Sequence, residues 1–135
     1  MEFVLDNGLI RVALTTAGGS FTSIAANGRE YLWQGDPAGW SGQAPICFPI
    51  CGGLRDGRAM TMGGREVKLA RHGFARKQEW KLEEQGDSMV ALSLSSADHA
   101  ELLEQYPYPF KIVARYTIDA AKVAVLMLSI AARTP

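Results

Sequence analysis

Met89-Val90-Ala91-Leu92-Ser93-Leu94-Ser95 decides the fold class. Val90, Leu92 and Leu94 alternate with Met89, Ala91, Ser93 and Ser95. Period two is the mark of a half-buried β-strand, whose side chains point alternately to opposite faces. Gly86-Asp87 precedes this strand and residues 78–84 precede the turn, so the unit reads as a hairpin. The same pattern recurs upstream. Residues 3–5 and 9–14 flank Asp6-Asn7-Gly8, and Asn-Gly favours the type I′ turn that joins antiparallel strands. Residues 21–25 and 30–33 flank Ala26-Asn27-Gly28. Residues 59–62 and 66–69 flank Gly63-Gly64, where glycine supplies positive φ. Repeated hairpins predict an all-β, antiparallel β-sandwich with few or no helices.

One short helix is expected over residues 97–105, rich in Ala, Glu and Leu and capped by Ser96. Tyr106-Pro107-Tyr108-Pro109-Phe110 then breaks it and enters a long strand, 111–118. Asp119-Ala120-Ala121-Lys122 turns the chain into a last strand, 123–131. There Val123, Val125 and Met127 point one way, and Ala124, Leu126, Leu128 and Ile130 the other. Both faces are apolar, and such a strand needs cover on both sides. Ala132-Arg133-Thr134-Pro135 cannot provide it. An earlier strand layer or a second copy in a homo-oligomer is expected to cover that surface.

The 135 residues fit one domain, 1–135, and a 47% hydrophobic content allows a substantial core. Fourteen basic and fourteen acidic residues cancel. With no long run of one sign, neither nucleic acid nor an anionic membrane is an expected partner. Met1-Glu2-Phe3 lacks the basic start of a secretory signal, and no apolar run approaches the ~20 residues of a spanning helix. The expectation is a soluble cytoplasmic protein. Cys47 and Cys51 are the only cysteines. In an extended strand they lie roughly 13 Å apart, beyond the ~7 Å Cα limit of a disulfide unless the chain turns sharply at Pro49. Two free, buried thiols are expected, as suits a reducing compartment. Their spacing matches no common zinc pattern, and no metal or cofactor is expected.

His72-Gly73-Phe74-Ala75-Arg76 is the leading chemical motif. His72 follows a strand, where a sandwich presents functional groups, and its imidazole can donate to or accept from a hydroxyl. It reads equally as a surface histidine in a turn. Arg76 offers a fork of donors for vicinal hydroxyls or a carboxylate, or a solvated pair with Glu79 or Glu83. Trp33 and Trp40 either stack on a pyranose face or fill a core. His99, among Asp98, Glu101 and Glu104, reads as part of a solvated helix face. Residues 106–110 either line a pocket or pack on a sheet. The pairs Gly18-Gly19, Gly52-Gly53 and Gly63-Gly64 lack the Lys-Ser/Thr of a phosphate loop, and no nucleophile elbow is present.

These residues together resemble the aldose 1-epimerase, galactose mutarotase-like family, in its compact bacterial branch. Four stretches carry the resemblance: residues 30–37 with Trp40, residues 44–52 as a strand, the motif at 72–76, and Tyr106-Pro107-Tyr108-Pro109-Phe110 as a strand entry. The resemblance implies a large antiparallel β-sandwich and interconversion of the anomers of a free aldose. A general acid would protonate the ring oxygen while a general base removes the anomeric proton. It implies sugar binding by His72 and Arg76, with no cofactor. Many relatives carry an arginine where this chain has Gly53, and Arg55 is the expected substitute. The family's second histidine and its glutamate, the acid and base, lie in a C-terminal half beyond this chain's last strand. The catalytic set is therefore expected to be incomplete, as in a truncation or frameshift product. A non-enzymatic carbohydrate-binding module and a self-assembling β-sandwich fragment are the competing expectations.

Overall fold

The computed structural model describes residues 1–131. Ten strands form three antiparallel sheets. The first runs β1 (Glu2–Asp6), β2 (Arg11–Thr15), β3 (Phe21–Ala26), β4 (Arg29–Glu30), in that order. The second carries β7 (Lys81–Gly86), β8 (Met89–Ser95), β9 (Phe110–Asp119) and β10 (Lys122–Ala131), with β10 and β7 at its edges. A small ribbon pairs β5 (Arg58–Met60) with β6 (Glu66–Lys68). All four predicted hairpins form, and the only helical pieces among the described residues are three short 3₁₀ turns. Among the described residues no helix is long and apolar enough to cross a membrane.

Local chemistry explains the turns. Asn7 Oδ1 accepts the Leu9 and Ile10 N–H groups at 3.0 Å each, which closes the first hairpin. Its amide also donates to the Ala120 carbonyl at 2.8 Å, tying that turn to the β9–β10 turn. Asn27 and Gly28 both adopt positive φ, as a type I′ turn requires. β4 is shorter than expected. Tyr31 and Trp33 lie beyond it because the Glu30 carboxylate takes the Ile24 and Leu32 N–H groups, each at 2.9 Å, and bends the chain away.

The two large sheets share one core. Phe3, Leu5, Val12 and Leu14 face Val90, Leu92, Leu94, Ile112, Ala114 and Tyr116. β8 is buried on both faces, not half-buried as its alternation predicts. The cause lies in its flanking strands. Arg115 on β9 and Glu84 on β7 pair at 2.8 Å across Ala91. Lys111 and Glu83 pair at 2.7 Å beside Ser93, whose hydroxyl donates to Glu83. Small side chains at 91 and 93 thus disappear beneath charged neighbours.

Ser96 does not cap a helix. The helical piece is Ala100–Glu104, with His99 at its N-cap position. The Ser96 hydroxyl instead accepts the Phe110 N–H at 3.0 Å and donates to its carbonyl, bracketing the entry to β9. β10 packs on the core at Val123 but is exposed at Val125, Leu126, Met127 and Leu128, so the earlier strand layer covers only its start. The side chain of Ile130 and residues 132–135 lie outside the described residues.

Two seams join the sheets to the site. In the first, Trp80 is fully buried and its Nε1 donates to the Ala75 carbonyl at 3.0 Å. A Cβ on Gly19 would come 2.4 Å from its indole, so only glycine fits there. Tyr116 reaches across from β9 and donates its hydroxyl to the Gly19 carbonyl. In the second, Phe48 and Gly73 form a parallel bridge. The Phe48 carbonyl accepts from Phe74 N–H at 2.9 Å and Ala75 N–H at 3.3 Å. A Cβ on Gly73 would stand 2.0 Å from that carbonyl, at a φ of +71°.

Burial pushes the Tyr116 hydroxyl up to about 12 from an ordinary 10.0. The folded chain then holds a proton that the unfolded chain loses first. Stability is therefore complete below about pH 10 and falls as pH rises towards 12. Chemical denaturation across that range should show the decline, and Tyr116→Phe should flatten it. Gly73→Ala should cost at least about 1–2 kcal/mol from the left-handed backbone alone, and more from the clash. Gly8→Ala, at φ +80° in open space, should show the backbone cost only. Equal urea midpoints for the two variants would contradict this account of the crossing.

Candidate functional site

The crossing of residues 48 and 73 sets the site. Phe48 packs on Phe74 and Phe110, with ring centroids 5.9 and 5.2 Å apart, and on Tyr106 at 6.1 Å. The aromatic–proline run therefore serves packing, and its rings anchor the crossing from below. Residues 44–52 form no regular strand, only this single bridge.

His72 sits immediately before the crossing at φ +67°, half-buried. Its N–H donates to the Gly52 carbonyl at 2.7 Å, and its Nδ1 accepts the Gly52 N–H at 2.9 Å. That second bond fixes the tautomer: neutral His72 carries its proton on Nε2 and offers it as a donor.

The 3₁₀ turn Ala75–Lys77 follows, and buried Ala75 pins it. Arg76 projects from this turn, with one guanidinium nitrogen donating to the Arg71 carbonyl at 3.1 Å. It makes no pair with Glu79 or Glu83. Glu79 accepts from the Thr16 hydroxyl, and Glu83 is engaged by Lys111 and Ser93. Lys111 and Ser93 hold the Glu83 carboxyl below its usual range.

Arg76 instead lines an open cleft of about 330 Å³ with Trp40. Thr15, Ser20 and Thr22, from the β2–β3 hairpin, form one wall, and Ser41, Gln43 and Pro45 another. The Trp40 indole folds back over Gly42, where no Cβ would fit. Gln43 donates to the Thr22 carbonyl at 2.8 Å and the Trp33 carbonyl at 2.9 Å, tying the two walls together. Trp33 donates its indole N–H to the Trp40 carbonyl at 2.6 Å. Both tryptophans are about half exposed, so neither fills a core. Glu30 anchors the start of the loop. Desolvation opposes its ionised form, but bonds from Ser23 and the Ile24, Leu32 and Tyr31 backbone together hold its carboxyl below the usual range.

The structure thus brings Trp40 and Arg76 to one cleft. His72 stands beside Cys47 and Cys51, outside the cleft lining. Arg55 lies on an exposed 3₁₀ turn, Arg55–Gly57, and does not line the cleft. His99 is not solvated on a helix face. It is half-buried, with Nε2 3.0 Å from the Glu79 carbonyl and Nδ1 3.4 Å from Glu101.

The cysteines differ from expectation. Both are free, as expected, but exposed rather than buried. Nor are they held apart: their sulfurs and a His72 ring nitrogen all lie within 4.8 Å of one another. The chain bends at residues 48–49 because the Phe48 carbonyl is tethered to residues 74 and 75, so both thiols swing towards His72. Partial loss of solvent around the exposed Cys47 thiol pushes it up, and the Cys51 thiol adds to this. The hydroxyl wall of Thr15, Ser20 and Thr22 was also not legible beforehand. These residues carry no motif, and a β-turn far from residue 76 brings them there.

The aldose 1-epimerase family model matches residues 1–134. Protein LacX from Lactococcus lactis subsp. lactis, in its plasmid form, is 41% identical over 128 residues, covering 91% of this chain and 42% of that protein. The chain therefore spans less than half the length of the curated relatives it matches. A galactose mutarotase related enzyme from Lactobacillus acidophilus superposes with a TM-score of 0.89 at 26% identity, over 97% of this chain and 43% of that one. The Slr1438 protein from Synechocystis sp. PCC 6803 gives 0.78 at 28% identity, over 94% and 47%. The match of the family model over nearly the whole sequence leads to one conclusion: the chain belongs to the aldose 1-epimerase family.

Proposed function

We propose that this chain forms one wall of a binding site for a free aldose. The cleft shared by Trp40 and Arg76 carries the reading. An indole face suits the apolar C–H patch of a pyranose, and a guanidinium fork suits vicinal hydroxyls. The hydroxyls of Thr15, Ser20 and Thr22 supply both donors and acceptors. His72, which does not line the cleft, carries its Nε2–H as a donor, held in that tautomer by Gly52, and joins the proposal through the family resemblance. Arg55 belongs to the proposal through the family resemblance only.

Anomer interconversion needs a proton donor for the ring oxygen and an acceptor for the anomeric hydroxyl, on opposite sides of one carbon. Neither a carboxylate nor an imidazole lines the cleft. The chain alone is accordingly proposed to bind a sugar without turning it over. A titration with galactose or glucose, followed by amide chemical shifts, should move residues around Trp40 and Arg76. Arg76→Ala should weaken binding by about tenfold or more, the scale of a charged hydrogen bond. Polarimetry of fresh α-galactose should show no acceleration over buffer. Acceleration abolished by His72→Ala would overturn the claim of incompleteness, and a silent titration would overturn the sugar site.

A second reading, self-assembly, rests on β10. It is an edge strand, and Val125, Leu126, Met127 and Leu128 are each more than 40% exposed. An isologous pairing of two β10 edges would continue the sheet, satisfy its unpaired edge groups and shield part of each apolar face through cross-strand neighbours. Light scattering should return a homodimer, and Leu126→Lys should shift it to monomer. A wild-type monomer at high concentration would rule the pairing out.

A further inference from the structure

We propose that Cys47, Cys51 and His72 form a binding site for one thiophilic cation of the Zn²⁺ class. Two sulfurs and one ring nitrogen lie within 4.8 Å of one another. Sulfurs at about 2.3 Å from a tetrahedral zinc stand about 3.7 Å apart, and its nitrogen ligand sits at about 2.0–2.1 Å. The donors need to close by about 1 Å, and both cysteines are exposed and outside any disulfide. The frame beneath them is fixed. Phe48, between the cysteines, is tied to Phe74 and Ala75, and the His72 backbone N–H donates to the Gly52 carbonyl. Three donors with an open fourth position are the usual pattern of an exposed zinc centre. Thiolate donors select soft or borderline cations over Mg²⁺ or Ca²⁺.

Charge and protons balance simply. Each thiol releases its proton to solvent on ligation, so Zn²⁺, two thiolates and a neutral imidazole carry no net charge. His72 is the weakest of the three ligands. Its Nδ1 lone pair already accepts the Gly52 N–H. Ligation through Nδ1 displaces that bond, and ligation through Nε2 moves the ring proton to Nδ1 and breaks it as well. The thiolates therefore carry most of the affinity. The site shares only His72 with the sugar reading, and neither cysteine lines the Trp40–Arg76 cleft.

The test is a titration of the reduced chain with Co²⁺, followed by displacement with Zn²⁺ against a chromophoric chelator. One equivalent should bind, with a thiolate-to-cobalt charge-transfer band and the visible bands of a tetrahedral ion. Cys47→Ser and Cys51→Ser should each weaken binding at least about 100-fold, beyond the range for loss of an outer-shell partner. His72→Gln should weaken it about tenfold and shift the visible bands while the charge-transfer band remains. His99→Gln should change nothing. Zn²⁺ should also protect both thiols of the wild type from alkylation, read by mass spectrometry without any variant. Absence of a one-to-one complex, a spectrum without thiolate bands, or unprotected thiols at saturating Zn²⁺ would each overturn the proposal. So would undiminished binding by the Cys47→Ser, Cys51→Ser double variant.

Discussion

The indole of Trp80 pressed against the backbone of Gly19 is the contact on which the rest depends. Trp80 lies just before β7, and Gly19 lies between β2 and β3. Their approach joins the N-terminal sheet to the C-terminal one at a buried point within the core that both share. Backbone bonds reinforce it: Trp80 N–H donates to Thr16 at 2.8 Å, and Gly18 N–H donates to Gln78 at 2.8 Å. Tyr116 closes the same point from β9. Burying a tryptophan removes a large apolar area from water, and its N–H still finds a partner in Ala75. The same residue that joins the sheets thus fixes the carbonyl from which the Arg76 turn begins.

That coupling explains why the cleft exists. Arg76 projects from a 3₁₀ turn whose start is held both by the Trp80–Ala75 bond and by the Phe48–Gly73 crossing. Its opposite wall comes from the β2–β3 hairpin, placed by Gly18 and Gly19. Rigid backbone on both sides lets exposed side chains such as Trp40 and Arg76 keep a mutual position without being buried themselves. Precision at a binding surface is inherited in this way from packing beneath it.

The strand pattern was largely readable. Alternation at 89–95 and Asn-Gly or Gly-Gly turns reflect local physics, which the two sheets retain. Readings failed where tertiary contacts overrode local preference, and three show how. Ser96 looks like a helix cap, but its hydroxyl is worth more bracketing Phe110, because the buried entry of β9 needs both its polar groups satisfied. β8 looks half-buried, but ion pairs on the neighbouring strands roof its outer face. Cys47 and Cys51 look distant and buried, but the tether at Phe48 folds the segment and leaves both thiols exposed beside His72.

The sequence by itself determined the strand order, the hairpin turns, the two-faced apolar character of β10 and the family, since each depends on residue type at short spacing. The tertiary structure alone decided which side chains meet. Trp40 joins Arg76 because two loops flank one hairpin, and His72 joins the cysteines because a carbonyl at residue 48 leaves no room for a side chain at residue 73. Those meetings rest on close approach between segments far apart in the chain, which a local pattern of residue types does not encode.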